Sequence, residues 1–263
     1  MFHYGGENLL YKLNIELEKE KNTNFTIQLS SLFHGILMEK VSFEYGEKMH
    51  VSNIRPYSQF IQVGEEKILW SVAAVNDEAY EQLIKPLLQD DFDYIYIKYK
   101  NVKLKIVSKQ LESKSMEEFL SETFFGNCSR FVKIKFITPC AFKSQGRYIF
   151  YPTVRYIMQS LVSKFDSGGH DFSVYTDELI SDLEKYIYII KYNLRSRIFS
   201  LEGVKIPSFS GEITVKIDGP AQMVNLANML LKYGWYSGVG IKCAIGMGAV
   251  LVESGEVKRH GEK

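Results

Sequence analysis

Apolar and polar residues alternate from Leu9 to Leu17, Leu-Leu-Tyr-Lys-Leu-Asn-Ile-Glu-Leu, which is the period of a strand with one buried face. The period then lengthens: Ile27, Leu29, Leu32, Phe33, Ile36 and Leu37 fall at helical spacing, with Asn24 or Thr26 as the candidate cap. Tyr57 to Val63 and Ile68 to Val75 read as two strands across the turn Gly64-Glu65-Glu66. A second helix is expected from Asp77 to about Leu88, on the apolar stripe Tyr80, Leu83, Ile84 and Leu87. Strand material rich in Tyr, Ile and Lys follows over Asp93 to Val107. The order is β-α-β-β-α-β, a ferredoxin-like unit.

The order then recurs. Phe131 to Ile137 alternates apolar residues with lysines, and Thr153 to Phe165 is helical in period, with Pro152 at its first turn. Ile187 to Phe199 and Glu212 to Ile217 read as strands, Pro220 to Tyr233 as a helix stopped by Gly234, and Ala249 to Val252 as a closing strand. Residues 110–130, rich in Ser, Lys and Glu, read as the connection. The fold expected is α+β, two tandem ferredoxin-like (βαββαβ) domains, at 1–125 and 126–263.

Composition narrows the class. Of 263 residues, 46% are hydrophobic and 24% charged, a globular profile, and no run approaches the ~20 apolar residues of a membrane span. The N-terminus lacks a basic-then-apolar signal pattern. Cys128, Cys140 and Cys243 are odd in number and widely spread, which argues against a disulfide framework or zinc site and for a reducing cytoplasm. Net charge is only +1, but its distribution is uneven. Thr123 to Phe165 holds no Asp or Glu, while residues 65–93 carry eight acids against two lysines. Such a map predicts a positive face on the second domain, suited to a polyanion, with Lys133, Lys135, Arg147, Arg155, Arg195 and Arg197 as contact candidates.

The densest motif is Tyr236 to Gly248, Tyr-Ser-Gly-Val-Gly-Ile-Lys-Cys-Ala-Ile-Gly-Met-Gly. Gly238, Gly240, Gly246 and Gly248 flank Lys242, and backbone without side chains can approach a ligand closely and line a phosphate-holding concavity. An ordinary turn or bulge is the plain alternative. The spacing is neither the dinucleotide fingerprint nor a P-loop. The five histidines form no metal-ligand spacing, so no metal and no cofactor are expected.

One reaction needs neither a metal nor an external nucleophile. In RNA the 2′-hydroxyl can attack the adjacent phosphorus once a base removes its proton, while an acid protonates the departing 5′-oxygen and cations hold the developing charge. Histidine suits both proton transfers. His50, in Lys48-Met49-His50-Val51-Ser52-Asn53-Ile54-Arg55-Pro56-Tyr57-Ser58, stands near Lys48 and Arg55, in what reads as a loop after the first helix.

These residues resemble a known family. Tyr236–Gly248, with Gly-Val-Gly, an interposed lysine and Gly-Met-Gly before a last apolar strand, is similar to the C-terminal glycine-rich signature of the CRISPR-associated Cas-six endoribonucleases. Leu32–Leu37 resembles the family's first helix, His50 with Arg55-Pro56-Tyr57-Ser58 the stretch bearing its catalytic histidine, and Phe136–Phe142 with Tyr151-Pro152 the opening of its second domain. The resemblance implies metal-independent cleavage of CRISPR precursor RNA within repeats by 2′-hydroxyl attack, leaving a 2′,3′-cyclic phosphate or 3′-phosphate end. It also implies that the glycine loop and the cleft between domains engage the RNA, and that His50 is general base or acid. Some members place a tyrosine on the first helix and a lysine after the histidine. Here His34 stands nearest the first place, as acid or orienting group, and Arg55 nearest the second, as phosphate stabiliser. Implied partners are CRISPR repeat RNA and other Cas proteins of an effector complex, with the chain a monomer or homodimer and off the membrane. A non-catalytic RNA-binding subunit of a guide-RNA complex is the alternative. A small-molecule-binding module is a third reading, against which the acid-free basic window stands.

Overall fold

The computed structural model describes residues 9–19 and 25–255. Asn24, His3 and His260 lie outside the described residues. The first half runs β1 (Leu9–Glu18), α1 (Ser30–Met38), α2 (Phe43–Val51), β2 (Tyr57–Val63), β3 (Lys67–Ala74), α3 (Asp77–Ala79), a π-helical turn at Tyr80–Ile84, α4 (Lys85–Leu88), β4 (Tyr94–Ile97), β5 (Val102–Ser115) and α5 (Met116–Thr123). The second half runs β6 (Phe131–Cys140), β7 (Phe142–Ser144), β8 (Arg147–Ile149), α6 (Val154–Asp166), α7 (Leu179–Tyr186), β9 (Ile187–Leu201), β10 (Val204–Ile217), α8 (Ala221–Ser237) and β11 (Val250–Ser254). The larger sheets have strand orders β2-β3-β1-β5-β4 and β11-β6-β10-β9, with antiparallel neighbours throughout. Without β4, each is the strand order of a ferredoxin-like unit, so the fold is two such units in tandem.

The alternating pattern explains each sheet's buried face. In β1, Leu13, Ile15 and Leu17 turn into the first core with Trp70 and Val72 of β3. In β6, Val132, Ile134 and Phe136 turn towards α6 and α8, whose Leu161, Val162, Leu230 and Leu231 fill the second core.

Five elements differ from the sequence expectation. The strand expected over 93–107 is a hairpin, β4 and β5, turned by Asn101 in the left-handed region (φ 51°). The expected connection at 110–130 is strand through Ser115 and then α5, whose capping box pairs Ser115 with Glu118. Although α5 precedes residue 125, it buries Met116 and Phe119 in the second core. The first helix begins as a 3-10 turn at Ile27–Leu29, where Thr26 provides no side-chain cap, and a separate helix α2 follows, capped by the Ser42 hydroxyl. Gly234 does not stop α8: it sits inside the helix, packed against Leu161, Val239 and Val250, and the helix continues to Ser237. The expected strand at 212–217 begins at Val204, forming a long hairpin with β9.

The two units meet at the C-terminal end of α8, where carbonyls lack partners inside the helix. Lys12 Nζ of β1 donates to the Trp235 carbonyl at 3.1 Å and lies 3.1 Å from the indole centroid. The Ser58 hydroxyl of β2 donates to the Tyr236 carbonyl at 2.6 Å. Lys164 Nζ of α6 donates to the carbonyls of Ser237 and Gly238 at 3.1 and 3.0 Å. Three side chains from both units thus fix where the glycine loop begins.

Burial lowers the Lys12 pKa to about 7, with Glu112 opposing the shift. Below pH 7 the amine is charged in folded and unfolded chains alike. Between about 7 and the ordinary value of 10.5, the unfolded chain keeps a proton that the folded chain has lost, so stability rises with pH. Relative to Lys12→Met, the wild-type urea midpoint is expected to climb across this window. Parallel pH profiles for the two proteins contradict the assignment.

Candidate active site

The glycine loop, residues 238–249, closes a cleft between the units, and of its four glycines only Gly240 lines that cleft. Gly246, at φ 109°, is buried on α1, where a Cβ would collide with the Ser30 side chain. Gly240, at φ 83°, allows close approach to the Ala141 carbonyl. Gly238 and Gly248 are also buried, with missing side chains that make room for Cys243 and Val239. Most loop amides are used internally: Val239 donates to Gly248, Gly240 to the Ser160 hydroxyl, Ile241 to Ala141 and Gly248 to Pro139. The bare-backbone expectation is corrected accordingly: the glycines seat the loop against protein. The amides of Lys242, Cys243 and Ala244 find no acceptor among the described residues, and these three residues line the cleft. Of the five loop residues singled out from sequence, Gly240 and Lys242 reach its wall.

The opposite wall is residues 52–55 and Tyr57, the passage from α2 into β2. Its sequence straps it to the helix end. The Ser52 hydroxyl and amide both donate to the Lys48 carbonyl, and Arg55 Nε donates to the Met49 carbonyl at 3.2 Å. His50 is exposed in the last turn of α2, rather than in a loop, because Ser42 caps a helix that buries Tyr45 and Met49 one turn apart. It precedes the cleft-lining Ser52 by two residues, which bounds their Cα separation at about 7.6 Å. The His50 backbone thus lies close to the cleft, although the residue is not among those that line it.

His34 is placed differently. It is half-buried on α1, with Nε2 3.1 Å from the Tyr57 hydroxyl and the two rings stacked. Burial and the nearby Arg55 guanidinium lower its pKa to about 4, so it is neutral at pH 7 and holds no proton to give as an imidazolium. The geometry suits an orienting group behind the Tyr57 wall.

The cleft has a volume of about 660 Å³. Arg55, Lys143, Lys164 and Lys242 line it, and no Asp or Glu does. Arg55 and Lys242 are singled out from sequence, whereas Lys143 and Lys164 are not. The proposed contact set splits into several surfaces. Register across β6, β10 and β9 puts Lys133, Lys135, Arg195 and Arg197 on the face of the second sheet away from α6 and α8. There Lys133 pairs with Glu212 and Lys135 with Glu253. Arg147 is exposed on β8, and Arg155 pairs with Glu184 of α7 in the helical layer. The acid-free stretch is therefore not a continuous positive surface, because β10, β11 and α7 supply the missing acids. Tyr57 and the α6 residues Gln159, Ser160 and Ser163 also line the cleft. Their signal in the sequence is a polar stripe beside the apolar stripe of α6.

Two ferredoxin-like units around a cation-lined, acid-free cleft define a protein built to hold a polyanion. Comparison with known proteins gives the family. Residues 134–250 match the model of the CRISPR-associated endoribonuclease Cas6. A Streptococcus thermophilus CRISPR-associated endoribonuclease Cas6 is 30% identical over 231 residues, covering 86% of this chain and 91% of the relative. One from Mycobacterium tuberculosis strain H37Rv is 26% identical over 242 residues, covering 92% and 77%. Among solved structures, Thermus thermophilus Cas6 superposes with a TM-score of 0.74 at 20% identity, covering 95% of this chain and all of that one. A Cas6 product complex reaches 0.77 at 20% identity, covering 93% of this chain and all of that one. The chain belongs to the family of CRISPR-associated Cas6 endoribonucleases. Among the described residues no helix is long and apolar enough to cross a membrane.

Proposed function

We propose that the chain cleaves CRISPR precursor RNA within its repeats by internal 2′-hydroxyl attack, with the scissile phosphate in the cleft beside His50. The observation that carries this reading is an exposed histidine two residues in sequence from the wall of a cleft whose lining holds four cations and no acid. His50 serves as the proton-transferring group. Acting as base, it takes the 2′-hydroxyl proton; O2′ then bonds to phosphorus as the bond to O5′ breaks, and O5′ receives a proton from water. The products are a 2′,3′-cyclic phosphate and a 5′-hydroxyl. Arg55, Lys242 and the free amides of Lys242 to Ala244 face the charge that grows on the non-bridging oxygens. His34 orients Tyr57 and leaves the proton transfers to His50. A carboxylate-free cleft supports a mechanism without a metal, since divalent cations of the magnesium type favour oxygen ligands.

Repeat RNA is the expected partner. Docking to other Cas proteins, and a monomeric or homodimeric state, belong to the same reading, which places the chain in the cytoplasm. We read residues 1–125 and 126–263 as domains joined through α5. Cleavage of repeat RNA is expected to persist in excess EDTA and to stop when the nucleotide at the cut carries a 2′-deoxyribose. Loss of cleavage on chelation, or continued cutting of the deoxy substrate, contradicts the mechanism.

A further inference from the structure

Resting on the reading of the cleft as an RNA site, we infer that it also contains a pocket for one unpaired nucleobase, read by Gln159 between aromatic walls. Helix α6 carries two stripes. Ile157, Met158, Leu161, Val162 and Phe165 are buried in the core. Tyr156, Gln159, Ser160 and Ser163, at i, i+3, i+4 and i+7, line the cleft. A cleft that gripped only phosphate would need cations and amides, not this stripe.

The stripe is open for business of a particular kind. Ser160 is engaged, accepting the Gly240 amide at 2.8 Å. The Gln159 amide and the Ser163 hydroxyl have no hydrogen-bond partner among the described residues. A glutamine amide sets a donor and an acceptor side by side, the complement of a base edge. The walls suit the flat faces of a base. Tyr156 is stacked on the buried Phe142, with ring centroids 5.6 Å apart and planes 23° apart, which holds its ring in place. Tyr148 of β8, half-buried against the cluster of Ala141, Phe199, Leu201, Ile206 and Met247, lines the same cleft. Unpaired RNA bases are recognised by this combination of aromatic stacking and edge hydrogen bonds. The volume of about 660 Å³ falls within the range of pockets that enclose a small ligand. Lys143 and Lys242 in the same lining supply charge for the nucleotide's own phosphate.

The test is an abasic scan. Each nucleotide of a repeat RNA is replaced singly by an abasic site, and binding and single-turnover cleavage are measured for wild type, Gln159→Ala, Gln159→Glu and Tyr148→Ala. One position is expected at which base removal weakens wild-type binding about tenfold. That penalty should shrink to within about twofold in Gln159→Ala and Tyr148→Ala, while penalties elsewhere stay unchanged. Gln159→Glu, which exchanges a donor for an acceptor, should alter the base preferred at that position. If wild type cleaves the RNA normally but no penalty depends on residue 159 or 148, the base pocket is overturned and the catalytic reading stands. If wild type neither binds nor cuts repeat RNA, the catalytic reading falls and the pocket with it.

Discussion

Replacing His50 with alanine is expected to slow single-turnover cleavage of repeat RNA by about 10²- to 10⁴-fold, the usual contribution of a positioned acid or base. Binding should stay within a few-fold of wild type, because the cations that hold the backbone are elsewhere: Arg55, Lys143, Lys164 and Lys242 line the cleft. The variant should also melt close to wild type, since the His50 side chain is exposed and holds no contact that the helix needs. His34→Ala should give the opposite signature. It removes a half-buried ring stacked on and hydrogen-bonded to Tyr57, so stability falls and cleavage falls less than in His50→Ala. Full turnover by His50→Ala removes the residue from the chemistry.

Gly246→Val should be among the most destabilising single changes in the chain. The residue sits at φ 109°, where side chains are strained, and a Cβ there meets the side chain of Ser30, the fully buried first residue of α1. Left-handed strain and overpacking together suggest a loss of about 3 kcal/mol or more. For a chain of this size that corresponds to roughly 6–12 °C in Tm. The mechanism has its own check. Ser30→Gly removes the opposing side chain and should recover part of the loss caused by Gly246→Ala, leaving the φ strain behind. A Gly246→Val protein with unchanged Tm means that the loop is not seated on α1 as described.

Much of the fold was legible because its core strands and helices carry clean periods. β6 and α6 each bury one face of a regular pattern, and β1 alternates from Leu13 to Leu17. The missed elements lack that signal. β5 continues to Ser115 through polar residues, because pairing with β1 from Ile106 to Ser115 holds it without a buried stripe of its own. α2 buries only Tyr45 and Met49, too few positions to show a helical period.

The site was legible in part, for similar reasons. The His50 stretch and Arg55 stand out as local chemistry, and the structure brings residues 52–55 and Gly240 to Ala244 to one cleft. The glycines were conspicuous, but their purpose is contact between distant segments, which composition does not reveal. The acid-free window pointed to Lys133, Lys135 and Arg155, whose acidic partners come from β10, β11 and α7. Lys143, Lys164 and Gln159 face the cleft through tertiary placement alone.

The most direct test is the structure of the protein bound to repeat RNA carrying a 2′-deoxyribose at the cut nucleotide. The scissile phosphate should lie in the cleft, its oxygens against the amides of Lys242 to Ala244. The His50 imidazole should lie within hydrogen-bond reach, about 3 Å, of the reacting oxygens or one water away. A phosphate bound on the outer face of the second sheet, with His50 out of reach even through a water, contradicts the account.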